Sequence, residues 1–241
     1  MPKFVELWVY LAATPLFGLT ATLVVYVLAQ AAYARLRQAP WANPVLWTVV
    51  TLASVLLVTG VSYPTYFAGA QFIHFLLGPA VVALAWPLWE RRAELIKRWR
   101  VLLLASLAGG AAASGSALAL GWAVGLPTDV VLSLAPKSVT APVAMGIADK
   151  IGGIPALAAV FAVITGMVGA LSGKYLFDAL KISTDSNGWM ARGFALGTAA
   201  HGIGAARALQ VNAHAGAYAG LALGLQVALA SLLIPLAFRL F

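Results

Sequence analysis

From Leu7 to Tyr33, and again from Ala215 to Phe238, this chain carries no charged side chain. A helix needs about 20 predominantly apolar residues to cross the hydrocarbon core of a bilayer. A small soluble domain has no interior that could bury several segments of that length, so the chain reads as embedded in lipid. Charge is scarce to match: charged residues make up 9% of the sequence and hydrophobic ones 62%, where soluble domains carry about 25% charged residues. At 241 residues there is room for roughly seven or eight spans and none for a separate soluble domain. The expectation is an all-α polytopic membrane protein, one integral unit over residues 1–241, whose segments include two interrupted helices, re-entrant or broken.

The 15 Lys and Arg against 7 Asp and Glu flank apolar runs instead of forming one polar face, which argues against nucleic acid as a partner and for the lipid bilayer. Cysteine is absent, which removes disulfides, thiolate metal sites and cysteine nucleophiles. The run Leu7–Tyr33 exceeds the apolar core of a signal peptide and is read as a retained span, closed by Arg35 and Arg37. A second span is expected over Ala42–Val61 and a third over Phe67–Trp89, interrupted at Gly78 and Pro79. The stretch from Glu90 to Arg100 is the most charged and reads as a cytoplasmic loop, which places the protein in the cytoplasmic membrane. Further spans follow over Val101–Trp122, Ile154–Leu176 and Ala215–Phe238. Trp8, Trp47, Trp86, Trp89, Trp99 and Trp122 fall near span ends, as an aromatic belt requires. Gly216, Gly220 and Gly224 recur every fourth residue, the pattern of a tight helix seam.

Two segments are less ordinary. Thr128–Lys150 holds Pro136 and Pro142 around Lys137, Ser138, Val139 and Thr140, and proline both removes a helical donor and pushes its predecessor towards an extended conformation. That segment is expected to break near its middle. With Pro142 as the first helical residue, the free amides and the positive end of the helix dipole face the break and favour an anion, joined by the charge of Lys137 and the hydroxyls of Ser138 and Thr140. A lysine at membrane depth marks a functional site by default; the alternative is that Lys137 snorkels from a loop. The second segment, Ala191–Leu209, is weakly apolar and carries His201 and Arg207, six residues apart and so well separated around an unbroken helix, although Gly202 and Gly204 are able to break it. The octets that start at Gly78 and Ala141 both place a proline second, and paired interruptions of this kind point to a transporter's binding site.

Enzyme chemistry has little to stand on. No Gly-x-Ser-x-Gly elbow, paired-carboxylate or histidine-rich metal spacing occurs, and around Ser172-Gly173-Lys174 a valine, Val168, replaces the first glycine of a phosphate loop. No cofactor or metal is implied.

The runs Leu76–Ala85, Pro136–Met145, Gly152–Pro155 and His201–Leu209 resemble the LrgB/CidB family in order and spacing from about Tyr63 to the C-terminus, with the Lys-Ser-Val-Thr block the most specific. Before it, the spans 7–33 and 42–61 resemble the family only in being apolar. The family contains holin-like and antiholin-like regulators of murein hydrolase export and lysis, relatives implicated in pyruvate uptake, and the plastid glycolate/glycerate translocator. The resemblance implies a secondary carrier of small monocarboxylates working by alternating access, with a holin-like pore or regulator as the alternative and a small LrgA/CidA-type membrane protein as a partner, beside possible homo-oligomers. It implies that Lys137, Ser138, Val139 and Thr140 line the anion site, that Gly78 and Pro79 form the other break, and that His201, Gly202 and Arg207 approach from the later helix. Ala205 stands where family members often have threonine. The paired breaks look like the crossed half-helices of elevator-type inverted-repeat carriers, an analogy of fold.

Overall fold

The computed structural model describes residues 15–36, 39–76, 79, 85–90 and 92–239, and these are helical wherever they are regular. The helices are α1 (Pro15–Arg35), α2 (Pro44–Thr59), α3 (Tyr63–Phe75), α4 (Ala85–Glu90), α5 (Arg92–Ala123), α6 (Thr128–Leu134), α7 (Ala141–Ile151), α8 (Pro155–Ala179), α9 (Ser186–Val211) and α10 (Ala213–Arg239). Four of them are long and apolar enough to cross a membrane: within α1, within α5 from Ile96, α8 and α10. The chain divides into two compact units, residues 1–80 and 81–241.

In the first unit α1 and α3 touch at the backbone. A Cβ on Gly18 would fall on the Tyr66 carbonyl oxygen, so only glycine permits this approach. Thr22 Oγ1 and the Tyr66 hydroxyl are 2.6 Å apart above it. Asn43 starts α2 by accepting from the Val45 and Leu46 amides, an N-cap, and Gly60 ends it in the left-handed conformation that glycine adopts freely. Of the expected break at 78–79, Gly78 lies outside the described residues and Pro79 belongs to this first unit.

The second unit begins with a difference from the sequence reading. Residues 92–100, expected as a loop, are helical and lead into the span of α5 through a kink at Arg98 (φ −116°, ψ 15°). Arg, Lys, Glu and Leu are strong helix formers, so a charged stretch beside a span extends the helix.

Thr128–Ile151 breaks where the two prolines require, and it then reverses. Gly153, just past α7, backs onto Ser133 of α6 so closely that a Cβ would stand 3.0 Å from the Ser133 nitrogen, and the Ile154 amide donates to Ser133 Oγ at 2.7 Å. An 11-residue helix is about 16 Å long, so the end of α7 meets the end of α6 only if the pair forms a hairpin with its tip near 138–140. Gly152, at φ 83°, ends α7, and the Gly153 amide bonds back to the Ala148 carbonyl at 2.8 Å, closing the helix as a Schellman turn does.

α9 also reverses, without a proline. Its 26 residues would span about 39 Å if straight, yet a Cβ on Gly204 would stand 2.7 Å from the Leu196 carbonyl oxygen. The turn lies at Ala200 (φ −122°, ψ 17°) and His201 (φ 40°, ψ −136°), directly before Gly202. Gly193 and Gly197 in the first arm sit on the carbonyl oxygens of Ala215 and Ala219 in α10, and Gly216 packs against Leu209 in the second arm. The expected glycine seam is present at Gly216, and the closest approach comes from the glycines of α9. Segments 128–150 and 191–209 therefore enter and leave by the same end, the re-entrant one of the two forms expected for an interrupted helix.

The two hairpins open towards opposite ends of α8. The first opens beside Pro155, where α8 begins; the second opens where Arg192 pairs with Asp178, near the end of α8, at 2.8 Å. Asp185 caps the first arm of α9, accepting from the Gly188 amide at 2.7 Å and from the Ser183 hydroxyl at 2.6 Å. These bonds, the serine hydroxyl foremost, hold the Asp185 carboxyl below its ordinary value. A depressed folded value stabilises the protein above the unfolded value and is lost as pH falls through the folded one. Asp185→Ala should lower the thermal midpoint at neutral pH, with the gap to wild type closing on acidification below the ordinary carboxylate range. A gap of constant size at every pH would contradict this cap.

Candidate functional site

Between α6 and α7 the backbone tightens into successive three-residue turns, with bonds from Ala135 to Leu132 (3.1 Å), Lys137 to Leu134 (3.2 Å) and Val139 to Pro136 (3.1 Å). Ser114 of α5 donates to the Ala135 carbonyl at 2.7 Å and pins the start of the break. Ser138 and Val139 are buried, and Lys137 is half-buried with its Nζ 3.5 Å from Ser138 Oγ. Thr140 is the N-cap of α7, with Ala141 first and Pro142 second in the helix, one position later than the sequence reading placed it. The first bond of the α7 ladder runs from the Ala144 amide to the Thr140 carbonyl at 2.8 Å. The amides of Ala141 and Val143 stand ahead of that ladder, at the positive end of the helix.

Thr140 sits where a hydroxyl ordinarily bonds a first-turn amide, and it makes no such bond; its Oγ1 is buried without a partner among the described residues. The local arrangement is a lysine ammonium, a buried serine hydroxyl, an uncommitted threonine hydroxyl and a helix N-terminus within one turn of chain. Its chemistry suits a small anion with hydrogen-bonding oxygens.

The second hairpin brings His201 towards the same place. His201 is buried, and its Nε2 lies 2.7 Å from the carbonyl oxygen of Ala162, in the first half of α8. Gly166, one turn on, leaves room for the imidazole: a Cβ there would stand 2.8 Å from it. Ala162 is itself fully buried in the cluster that contains Val139 and Ala144. Both tips therefore approach the stretch of α8 around Ala162, one from each end. Gly202 follows the turn, and a Cβ there would meet nothing within 4 Å.

Arg207 lies elsewhere. It lines a cavity of about 230 Å³ between the open end of the second hairpin and α8, together with Lys174, Asp178 and Arg192. Three further polar groups of the second unit, of which the sequence singles out only Thr198, are buried without partners among the described residues: Ser106 Oγ, Thr198 Oγ1 and Gln226 Oε1. Thr198 and Gln226 lie over adjacent glycines of α5, Gly109 and Gly110. Gln226, alone among apolar neighbours in the last span, also carries a visible signal, since a polar group at that depth calls for a reason. No metal-ligating cluster occurs among the described residues.

The family model of the LrgB-like family matches residues 22–240, starting inside α1 and so well ahead of Tyr63. The uncharacterized protein YxaC of Bacillus subtilis is 36% identical over 202 residues, covering 84% of this chain and 86% of its own. Holin-like protein CidB of Staphylococcus aureus is 32% identical over 224 residues, covering 91% and 94%, and its namesake in Staphylococcus epidermidis is 30% identical over 203 residues, covering 84% and 86%. No solved structure matches.

Proposed function

The chain belongs to the LrgB-like family, and from that premise we propose that it is a holin-like membrane protein that controls the passage of small solutes across the bilayer. The observation that carries this reading is the near end-to-end similarity to the proteins named Holin-like protein CidB. The long apolar helices support it, since α1, α5 and α8 leave large side chains such as Val27, Leu104 and Val168 exposed, surface that suits lipid or further copies of the chain. A small LrgA/CidA-type membrane protein would be the natural partner in the cytoplasmic membrane.

A second reading is favoured by one specific feature, the break at Lys137–Thr140 with the His201 turn at the same stretch of α8, around Ala162. Two hairpins entering from opposite ends resemble the interrupted helices around which secondary carriers alternate access. On this reading the chain is a carrier of small monocarboxylates of the glycolate, glycerate, pyruvate and lactate class, the carboxylate held by Lys137, Ser138, Thr140 and the start of α7. Flux into vesicles holding this chain alone separates the two. A holin-like route passes glycolate and a neutral sugar alike, in proportion to their concentration. A carrier saturates with glycolate or pyruvate and ignores the sugar. No flux above empty vesicles, with or without the small partner, would contradict both.

A further inference from the structure

The cavity at the open end of the second hairpin has no part in either reading. Lys174, Arg192 and Arg207 line it together with the Asp178 carboxylate. Arg192 is more than nine-tenths buried. It pairs with Asp178 and donates to the Ile182 carbonyl, and its guanidinium lies 5.7 Å from the Phe177 ring and 5.6 Å from the Trp189 ring. Its Nε is still without a partner among the described residues. A buried guanidinium with an unused donor has an incomplete set of partners, and its ordinary complement is an oxyanion.

Apart from Thr184, the remaining walls are mostly apolar, formed by Ala170, Leu196, Ala208, Val211 and Ala215. An occupant has to offer negative charge at one end and hydrocarbon at the other. The cavity's place in the membrane agrees. It lies where α9 begins, and Arg98 at the start of α5 reaches Met190 there at 3.2 Å. That end also carries Arg92, Lys97 and Arg100, so by the positive-inside rule it faces the cytoplasm, where basic pockets between spans take lipid head groups.

We propose that this cavity binds an anionic phospholipid of the cytoplasmic leaflet, its phosphate on Lys174, Arg192 and Arg207 and its acyl chain along the apolar wall. The lipid closes the open end of the hairpin whose tip carries His201.

The test is native mass spectrometry of the full chain released from mixed micelles of phosphatidylglycerol and phosphatidylcholine with identical acyl chains, for the wild type and for Lys174→Gln/Arg207→Gln. Arg192 stays intact because it holds the hairpin to α8. The wild type should retain phosphatidylglycerol preferentially, and the double variant should lose roughly thirtyfold of that preference, about fivefold for each cation. An unchanged gel-filtration profile shows that the variant folds; if it does not fold, Lys174→Gln alone should lose about fivefold. Equal retention of both lipids by the wild type, or full preference in a folded variant, overturns the proposal. Displacement of the lipid by glycerol 3-phosphate overturns it too, in favour of a soluble phosphate compound.

Discussion

Gly197→Leu should leave almost no folded protein in the membrane, while Gly202→Ala should leave folding intact. Both glycines lie in α9, and helix propensity alone favours replacing either by about 0.5–1 kcal/mol. Packing decides between them. A side chain on Gly197 begins inside the Ala219 carbonyl oxygen of α10, as one on Gly193 begins inside that of Ala215. Neither helix is able to yield locally, because the obstacle is backbone. Overpacking a core by a few methylenes costs typically 1–3 kcal/mol, and a leucine set against a carbonyl belongs at or above the top of that range, a large share of a total stability of about 5–15 kcal/mol. At Gly202 the space is open. Detergent-solubilised yield and thermal midpoint by fluorescence-detected gel filtration provide the check. Gly197→Leu with the midpoint of wild type would show that the seam between α9 and α10 is not formed as described.

Lys137→Ala should keep the fold and weaken the interaction with small carboxylates roughly ten- to hundredfold, the worth of about 1.5–3 kcal/mol for a hydrogen bond to a charged group. The folding cost is small because, among the described residues, the half-buried ammonium's recorded polar contact is a long one, to the Ser138 hydroxyl at 3.5 Å, while Ala135, Pro136 and Val139 fix the turn by burial and backbone bonds. Dose dependence of glycolate flux in vesicles, with neutral-sugar flux as the internal standard, is the measurement. Unchanged glycolate flux in a folded variant removes the break from the transport route. A fall in yield with unchanged specific flux leaves Lys137 as a snorkelling anchor.

The first hairpin was legible because proline acts locally: Pro136 and Pro142 dictate a break at 135–140 whatever surrounds them. Sequence alone leaves the interrupted helix re-entrant or merely broken; that it reverses depends on Ser133 meeting Gly153 and Ile154, contacts between residues 20 and 21 apart. The second hairpin gave a weaker sign. His201 takes a positive φ that L residues rarely adopt, held by its contact with Ala162, and no propensity scale anticipates a turn at Ala-His. The flanking glycines offered the only hint, and they placed the break one to three residues late. The same reversal explains why Arg207 and His201 are separated, with one at the open end and the other at the tip. The helical character of residues 92–100 is not legible from charge alone, because at a span end a charged stretch is equally a loop or a helix continuing into water.

Because the chain has no cysteine of its own, a single thiol at the tip of the second hairpin tests most directly whether the two tips face a route for solutes. Gly202→Cys should react with a membrane-impermeant thiol reagent far faster than Leu232→Cys, which lies on the exposed apolar face of α10, and glycolate or pyruvate should slow it. A thiol at Gly202 as unreactive as one at Leu232 would mean that no water reaches the tips, and that solutes do not pass between them.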